Sequence, residues 1–361
     1  MFYSIMLKID ETQPDAFALI ENELPTIFGE NDGLFIKVKV KDYLFNGLKF
    51  CENEGVNGGF AASMFCKEVI GKLQESKTLR LENKTVVFAN LYYKNNTHSG
   101  RFTVKSGQKN AEEAGRLHLY NGKEYITTWA GGKSICNKIR GVTTVFPVGL
   151  RSDMIFESFA EDICRTVVLE YSSEETVKAI KGLKFVAKND TFSTSKKENS
   201  CFCHNKTRTF DTHLGCAKDG VTDLTICTGG PVMVSFPHLL YGDKEYQTSV
   251  QGMDPDKSKH ETSIILEPLS GFPLYAAQRI QFNMFLRPIE GMESLANVSR
   301  ALMPLFWVEE SLLIGDQYIE MMKSQLFDTM NIINIVKWIV IISGAACLII
   351  AVLAIIYKQG S

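Results

Sequence analysis

The sequence predicts an α+β protein in which a large antiparallel β-sheet domain stands on one C-terminal transmembrane helix. Three observations lead to this prediction. Residues 338–356 form an uncharged apolar run, several segments alternate apolar and polar side chains as strands do, and helical spacing recurs near both ends of the chain. Nearly the whole chain therefore lies on the N-terminal side of a single membrane anchor.

The anchor is the nineteen-residue run WIVIISGAACLIIAVLAII, which contains no charged side chain. As an α-helix it would be about 28 Å long, which matches the hydrocarbon thickness of a bilayer. Trp338 and Tyr357 stand at its ends, where aromatic rings prefer the headgroup layer, and Lys337 and Lys358 flank it. One lysine at each end leaves the charge bias neutral, so the orientation depends on the chemistry of the N-terminal part.

The composition does not support nucleic-acid binding, and the motifs do not support an enzyme. The chain has 361 residues, 45% of them hydrophobic, and a formal net charge of −2, so there is no basic excess for binding nucleic acid. It also lacks a Gly-x-Ser-x-Gly elbow, a phosphate-binding loop and a dinucleotide fingerprint. We expect no catalytic residue, no cofactor and no enzymatic activity, and a structural role for each of the scattered histidines. Lys8 and Asp10 interrupt the apolar residues at the N-terminus, so we expect neither a signal peptide nor a second span there.

The cysteines indicate an oxidising compartment. Eight of the nine precede the anchor, and an even, tightly spaced set of six is typical of a disulfide framework. Cys51 and Cys66 stand apart, and the sequence leaves open whether they bond to each other. Cys347 lies inside the apolar run and is expected to be a small packing residue. The clustered six are Cys136, Cys164, Cys201, Cys203, Cys216 and Cys227.

Five N-x-S/T sequons in the same region support an extracellular or luminal location. Their asparagines are Asn83, Asn95, Asn189, Asn205 and Asn297. The alternative for the cysteine cluster is a zinc site, for which the candidate ligands are Cys201, Cys203, His204, His213 and Cys216. The one-residue gap between Cys201 and Cys203 is tighter than zinc ligands usually have, so disulfides are favoured and no metal is expected.

The N-terminal third mixes helical and strand patterns. Apolar residues at helical spacing predict a helix over residues 15–27 that closes near Gly29. Residues 34–40 alternate apolar side chains with lysines, which predicts a half-buried strand. Residues 42–48 predict a short helix or turn. Further β-rich runs cover residues 85–93 and 101–105, and Asn121-Gly122 is a turn signal.

The strand pattern is stronger after Cys227. Residues 232–236, 263–267 and 279–286 are predicted strands, and residues 268–271 a turn. In the last strand Ile280, Phe282, Met284 and Leu286 would share one face, with Gln281, Asn283 and Phe285 on the other. Residues 316–330 are predicted to form an amphipathic helix that leads to the bilayer.

Several blocks of the second half resemble the class B scavenger receptor family, and within it most closely the sensory neuron membrane proteins of insects. The resemblance runs from about Leu34 to the anchor. It rests on the order of the six clustered cysteines followed by VSFPHLLY (234–241), and on EYQTSVQG (245–252), Lys259-His260, EPLSG (267–271), RIQFN (279–283), RPI (287–289) and LFWVEE (305–310).

The resemblance implies a fold, a pairing of cysteines and a function. The implied fold is a large antiparallel β-barrel-like ectodomain with peripheral helices and an apolar tunnel. The implied disulfides are Cys136–Cys201, Cys164–Cys227 and Cys203–Cys216, whereas the sequence alone permits fifteen pairings. The implied function is to bind lipid-like ligands, such as fatty-acid-derived pheromones, and to deliver them to the membrane or to a partner odorant receptor. Alternatives are a scavenger receptor for lipoprotein lipids on phagocytes or gut cells, a luminal enzyme, and an adhesion module.

The resemblance also sets the expected topology. Residues 1–331 would be an extracellular or luminal lipid-binding ectodomain, residues 332–357 the transmembrane helix and residues 358–361 a cytoplasmic tail. An N-terminal span and a long part of the ectodomain that precede Leu34 in the family have no counterpart, so we expect a shortened version of the family domain. Glu30, Asn31 and Asp32 stand where some lipid-binding members have lysines. No fatty-acid anion site is therefore carried over, and the ligand-binding residues are not assigned.

Overall fold

A computed structural model describes residues 20–29, 35–55, 57–71, 73–203, 207–209 and 214–359. The structure mixes helices and sheets, and its largest unit is an eight-stranded antiparallel sheet. The strands are β1 Leu48–Phe50, β2 Leu79–Glu82, β3 Thr85–Phe88, β4 Phe102–Val104, β5 Leu117–Tyr120, β6 Ile155–Ala160, β7 Arg165–Val177, β8 Ile180–Ala187, β9 Thr207–Arg208, β10 Leu214–Gly215, β11 Thr222–Asp223, β12 Met233–Ser235, β13 Ser263–Leu266, β14 Pro273–Leu286 and β15 Ala301–Leu313. The helices are α1 Leu24–Phe28, α2 Phe60–Gly71, α3 Thr225–Thr228, α4 Lys244–Thr248, α5 Lys257–His260, α6 Asp316–Met321 and α7 Asp328–Gln359.

The large sheet is built around β14. One edge of β14 pairs with β15 along its whole length, and the other edge pairs first with β13 and then with β12. From β13 the sheet continues through β8, β7 and β6. A barrel closes only when its outer strands pair with each other, and in the described part of the chain β15 pairs with β14 alone. The sheet is therefore open there, and neither the tunnel nor the peripheral helices expected from the resemblance are shown.

The strand predicted over residues 279–286 is confirmed as the second half of β14, but its polar face is buried as well. Gln281 and Asn283 are almost inaccessible to solvent. The Nε2 of Gln281 donates to the Oδ1 of Asn283 at 2.7 Å, and the Nδ2 of Asn283 donates to the Oγ of Ser235 at 2.9 Å. Buried amides of this kind are tolerated because each finds a hydrogen-bond partner. Both faces of β14 therefore belong to the interior.

The strand predicted over residues 34–40 is wrong for its described residues. Residues 35–39 have no regular structure, and Phe35 and Val40 are more than two-thirds exposed. Alternation alone does not make a strand, because backbone groups need a neighbouring strand, and none of the described residues supplies one here. The short helix predicted next is confirmed as a π-helical turn, Asp42–Asn46. Residues 15–19 of the helix predicted over residues 15–27 lie outside the described residues. Leu34, the first residue of the strand predicted over residues 34–40, also lies outside them.

The C-terminal helices form one continuous rod. α6, a π-helical turn at Met322–Phe327 and α7 follow one another without a break, so that the helix Asp316–Gln359 is 44 residues long. It is long and apolar enough to cross a membrane, and none of the residues of α7 is buried against the rest of the chain. The prediction of a helix that leads into the apolar run is confirmed.

Candidate functional site

One face of the large sheet carries two rows of apolar side chains, which we call the apolar face; on β14 and β15 the polar pair Gln278 and Glu310 lies between the rows. Directly opposed residues of antiparallel strands point to the same side of a sheet, so the strand registers define its members. The first row crosses five strands, and the second row crosses three strands beside it. The rows are Leu312, Ala276, Ile264, Phe185 and Tyr171, and then Phe306, Phe282 and Val234.

The apolar face runs from a buried centre to an open side at β15. Phe185 is fully buried and packs edge-on against Phe156, with ring centroids 4.8 Å apart. At the β15 end of the row Leu312 is 51% exposed, and Val308, beyond Glu310 on the same face, is 38% exposed. Solvent exposure along the row is therefore greatest at β15, and the row is fully buried at Phe185.

Aromatic rings cover part of the apolar face. Phe282 and Phe306 are 5.0 Å apart, and Tyr43 of the π-helical turn packs edge-on against Phe306 at 5.5 Å and contacts Phe88 at 5.9 Å. Burial raises the pKa of Tyr43 to about 12, because a phenolate would lose its hydration there. This corner of the face is therefore dry, as an acyl chain requires.

A cleft of about 910 Å³ beside β5 and β6 has a different chemistry from the apolar face. It is lined by side chains of both charges as well as by apolar ones. Arg140 and Glu157 form an ion pair across part of its wall, with Nε and Oε1 2.6 Å apart. A lining that mixes acidic, basic and apolar groups does not suit an uncharged acyl chain. The apolar face is the better candidate for a lipid-like ligand.

Four disulfides clamp the domain. The clustered cysteines form Cys136–Cys201, Cys164–Cys227 and Cys203–Cys216, which are the pairs that the resemblance implies. Cys51 also bonds to Cys66, a question that the sequence left open. Sulfurs that are bonded to each other are not available as thiolate ligands, so Cys201, Cys203 and Cys216 do not support the zinc alternative. Its two histidines, His204 and His213, lie outside the described residues, and no group of three or more metal ligands occurs within them.

The disulfides surround a buried cation. Arg165 follows Cys164 directly, and its guanidinium lies 3.8 Å from the ring centre of Phe202 and donates to the Oγ1 of Thr222 at 3.1 Å. Burial lowers the pKa of Arg165 to about 9, because the charged form loses hydration. Trp129 packs edge-on against Phe202 at 5.1 Å, and its indole N–H donates to the carbonyl of Cys164. The clustered disulfides, Arg165 and the rings of Phe202 and Trp129 therefore form one rigid unit.

Four of the five predicted glycosylation sites lie in the described residues, and each of these asparagines is exposed. Asn83 occupies the left-handed region, with φ of 46°, in the two-residue turn between β2 and β3. Glycosylation at Asn83, Asn95, Asn189 and Asn297 stays a prediction. The fifth site, Asn205, lies outside the described residues.

Sequence reasoning treated the histidines as isolated, but the structure brings two of them together. The rings of His238 and His260 stack with centroids 4.3 Å apart and planes inclined by 8°. No local spacing in the sequence signals this pair, because the two residues belong to different loops. The same is true of Tyr43, which no pattern linked to the strand β15.

The sequence is similar to known proteins over nearly its whole length. The sequence model of the CD36 family matches residues 4–355, so the similarity begins well before Leu34, where sequence reasoning placed it. Sensory neuron membrane protein 2 of Aedes aegypti and sensory neuron membrane protein 1 of Apis mellifera are each 31% identical to the chain and each cover 98% of it. Sensory neuron membrane protein 2 of Anopheles gambiae is also 31% identical over 98% of the chain. The chain spans 61–65% of the length of these three relatives.

Proposed function

The chain belongs to the CD36 family, the class B scavenger receptors, and on this premise we propose that it binds lipid-like ligands and delivers them to the membrane or to a partner odorant receptor. The ligands would be fatty-acid-derived odorants or pheromones. This assignment builds on the similarity to insect sensory neuron membrane proteins. It requires a receptor without catalytic groups and a place where an acyl chain is kept away from water.

The apolar face is the observation that carries the proposal. Removing one methylene from water is worth about 0.8 kcal/mol, so a chain of about ten methylenes gains several kcal/mol from a dry surface. The row from Leu312 to Tyr171 offers such a surface across five strands, half-exposed at Leu312 and fully buried at Phe185. The strand β15 that carries the half-exposed end leads within a few residues into α6 and the anchor helix. A ligand held on the face would therefore be tethered close to a lipid leaflet.

We test the proposal with two neighbouring leucines of β15. Leu312 is 51% exposed and points to the apolar face, whereas Leu313 is 57% exposed and points to the opposite side of the sheet. The full chain in lipid nanodiscs would be titrated with long-chain aldehydes, acetates and fatty acids. Leu312→Glu should weaken saturable binding by about tenfold or more, since a carboxylate would have to be desolvated beside the ligand. Leu313→Glu is the matched control and should bind as the unmodified chain does.

Two results would reject the proposal. One is the absence of saturable binding for every ligand class. The other is an equal loss of affinity in both leucine variants, which would mean that the added charge acts through something other than the apolar face.

The proposed topology places residues 1–331 outside the cell or in a lumen, residues 332–357 in the membrane and residues 358–361 in the cytosol. Exposed sequons and a disulfide-rich domain support it, because both chemistries belong to the secretory pathway. Each of Asn83→Gln, Asn95→Gln, Asn189→Gln and Asn297→Gln should remove one glycan-sized step on a gel after expression in insect cells. A chain that peptide N-glycosidase leaves unshifted would contradict this orientation.

A further inference from the structure

The stacked histidines lie where two loops meet the edge of the large sheet. His238 belongs to the turn Pro237–Leu239 and His260 ends the helix α5. His260 is buried, and its ring packs edge-on against Trp307 of β15 at 6.1 Å. Trp307 pairs with Gln281 of β14, whose Oε1 accepts the backbone N–H of His238 at 2.8 Å. The pair thus joins both loops to the sheet.

Hydrogen bonds show that both rings are neutral. The Nδ1 of His238 accepts the backbone N–H of Asp254 at 3.1 Å, and the Nδ1 of His260 accepts the backbone N–H of Asp256 at 2.9 Å. A nitrogen that accepts a hydrogen bond carries a lone pair and no proton. His238 therefore holds the amide of Asp254 and His260 holds that of Asp256, each through a bond that a proton on Nδ1 would break.

The charged groups around the pair do not provide a counterion that would hold it protonated. On the loop, Asp256 accepts hydrogen bonds from Ser258 and forms an ion pair with Lys259, whose Nζ lies 3.0 Å from its Oδ2. Asp254 and Lys259 carry opposite charges, so their effects on the pKa of His260 oppose each other. On the same face of the sheet, the next opposed pair after Gln281 and Trp307 is Arg279 and Glu309. The Nε of Arg279 lies 2.6 Å from the Oε2 of Glu309, so these two charges neutralise each other. The pKa of His260 is lowered by burial first and by His238 second, against smaller opposing effects of Asp256 and Asp254. Burial therefore favours the neutral ring of His260 at neutral pH.

We propose that the His238–His260 stack is a proton-operated latch that holds residues 254–260 against β14 and β15 at neutral pH and releases them in an acidic compartment. Protonation has two effects in the same direction. It turns an Nδ1 acceptor into a donor that faces a backbone N–H, and it places two like charges 4.3 Å apart in a buried contact. Because the pKa of His260 in the folded state lies below its ordinary value, the latch is fully closed above about pH 6.5 and weakens as the pH falls through the lowered pKa. Release would further expose Trp307, which is 42% exposed and lies on the side of the sheet opposite the apolar face.

Hydrogen exchange of the full chain in nanodiscs tests the latch directly. After correction for the intrinsic exchange rate, protection of the Asp254 and Asp256 amides should fall about tenfold or more between about pH 7.5 and about pH 5. The amide of Glu245, held at 2.9 Å by the Asp243 side chain, is the internal reference and should keep its protection. In the double variant His238→Asn/His260→Asn the amide oxygen replaces Nδ1 as acceptor but does not titrate, so the loss should disappear. His118→Asn, at an exposed histidine far from the latch in the chain, should behave as the unmodified protein does.

Hydrogen exchange of the unmodified chain tests the latch even if the double variant does not fold. Protection of Asp254 and Asp256 that does not change with pH, or that changes in parallel with Glu245, would overturn the latch. The same loss of protection in a folded double variant would also overturn it, because the sensor would then lie elsewhere. Neither outcome depends on whether the apolar face binds lipid.

Discussion

Opening the Cys164–Cys227 bridge should destabilise the disulfide-linked domain more than opening the Cys51–Cys66 bridge. The cysteines are 63 positions apart in the first bridge and 15 in the second. A bridge stabilises the fold by restricting the unfolded chain, and the effect grows with the logarithm of the loop length. The two double variants Cys164→Ser/Cys227→Ser and Cys51→Ser/Cys66→Ser keep the backbone and differ mainly in this length.

The loop lengths set the magnitude. The 63-residue loop corresponds to about 4.3 kcal/mol and the 15-residue loop to about 3 kcal/mol. The Cys136–Cys201 bridge overlaps the longer loop and shortens its effective length, but the logarithm limits this correction to a few tenths of a kcal/mol. With an unfolding entropy of about 2.1 cal/mol/K per residue, the losses amount to about 6 °C and about 4 °C in Tm.

Thermal unfolding of both variants in nanodiscs at one scan rate measures the difference. Counting free thiols before the scan establishes that the three remaining bridges are intact. Equal losses of Tm, or a larger loss for Cys51→Ser/Cys66→Ser, would refute the loop-length reasoning. The contribution of each bridge would then come from native contacts, such as the indole bond from Trp129 to the Cys164 carbonyl.

Three further predictions concern the sheet and the anchor. Phe185→Ala should lower the unfolding free energy by about 3–5 kcal/mol, because it removes a fully buried ring, while Phe306→Ala, at a ring that is only partly buried, should cost clearly less; similar losses in chemical denaturation would contradict the buried-centre description. Arg279 lowers the pKa of Glu309, so the ion pair stabilises the fold above about pH 4.5 and is lost as the pH falls through the lowered pKa. Glu309→Gln should therefore reduce Tm at about pH 7 and much less at about pH 2.5, and a pH-independent reduction would argue against the ion pair. Leu348→Arg, in the middle of α7, should weaken membrane insertion by about 3 kcal/mol and release the chain on carbonate extraction; full retention would show that this stretch does not span the bilayer.

Local patterns in the sequence were sufficient for the features that depend on neighbouring residues. The uncharged run of α7, the alternation in β14 and the turn residues between strands each act over a few positions, and the structure confirms these elements. The cysteine cluster signalled an oxidising compartment for the same reason, since thiol spacing is read directly from the chain. Residues 35–40 mark the limit of this reasoning, because their alternation is as regular as that of a strand but no described strand lies beside them.

The tertiary structure decided everything that depends on residues far apart in the chain. The apolar face joins strands from distant parts of the chain, since β8 ends at Ala187 and β13 begins at Ser263, so no periodicity could reveal that Leu312, Ile264 and Phe185 share a row. Nor could spacing bring His238 onto His260, or Tyr43 onto Phe306. Sequence patterns report which side of a strand or helix is apolar, whereas strand register and loop packing determine which of those sides meet.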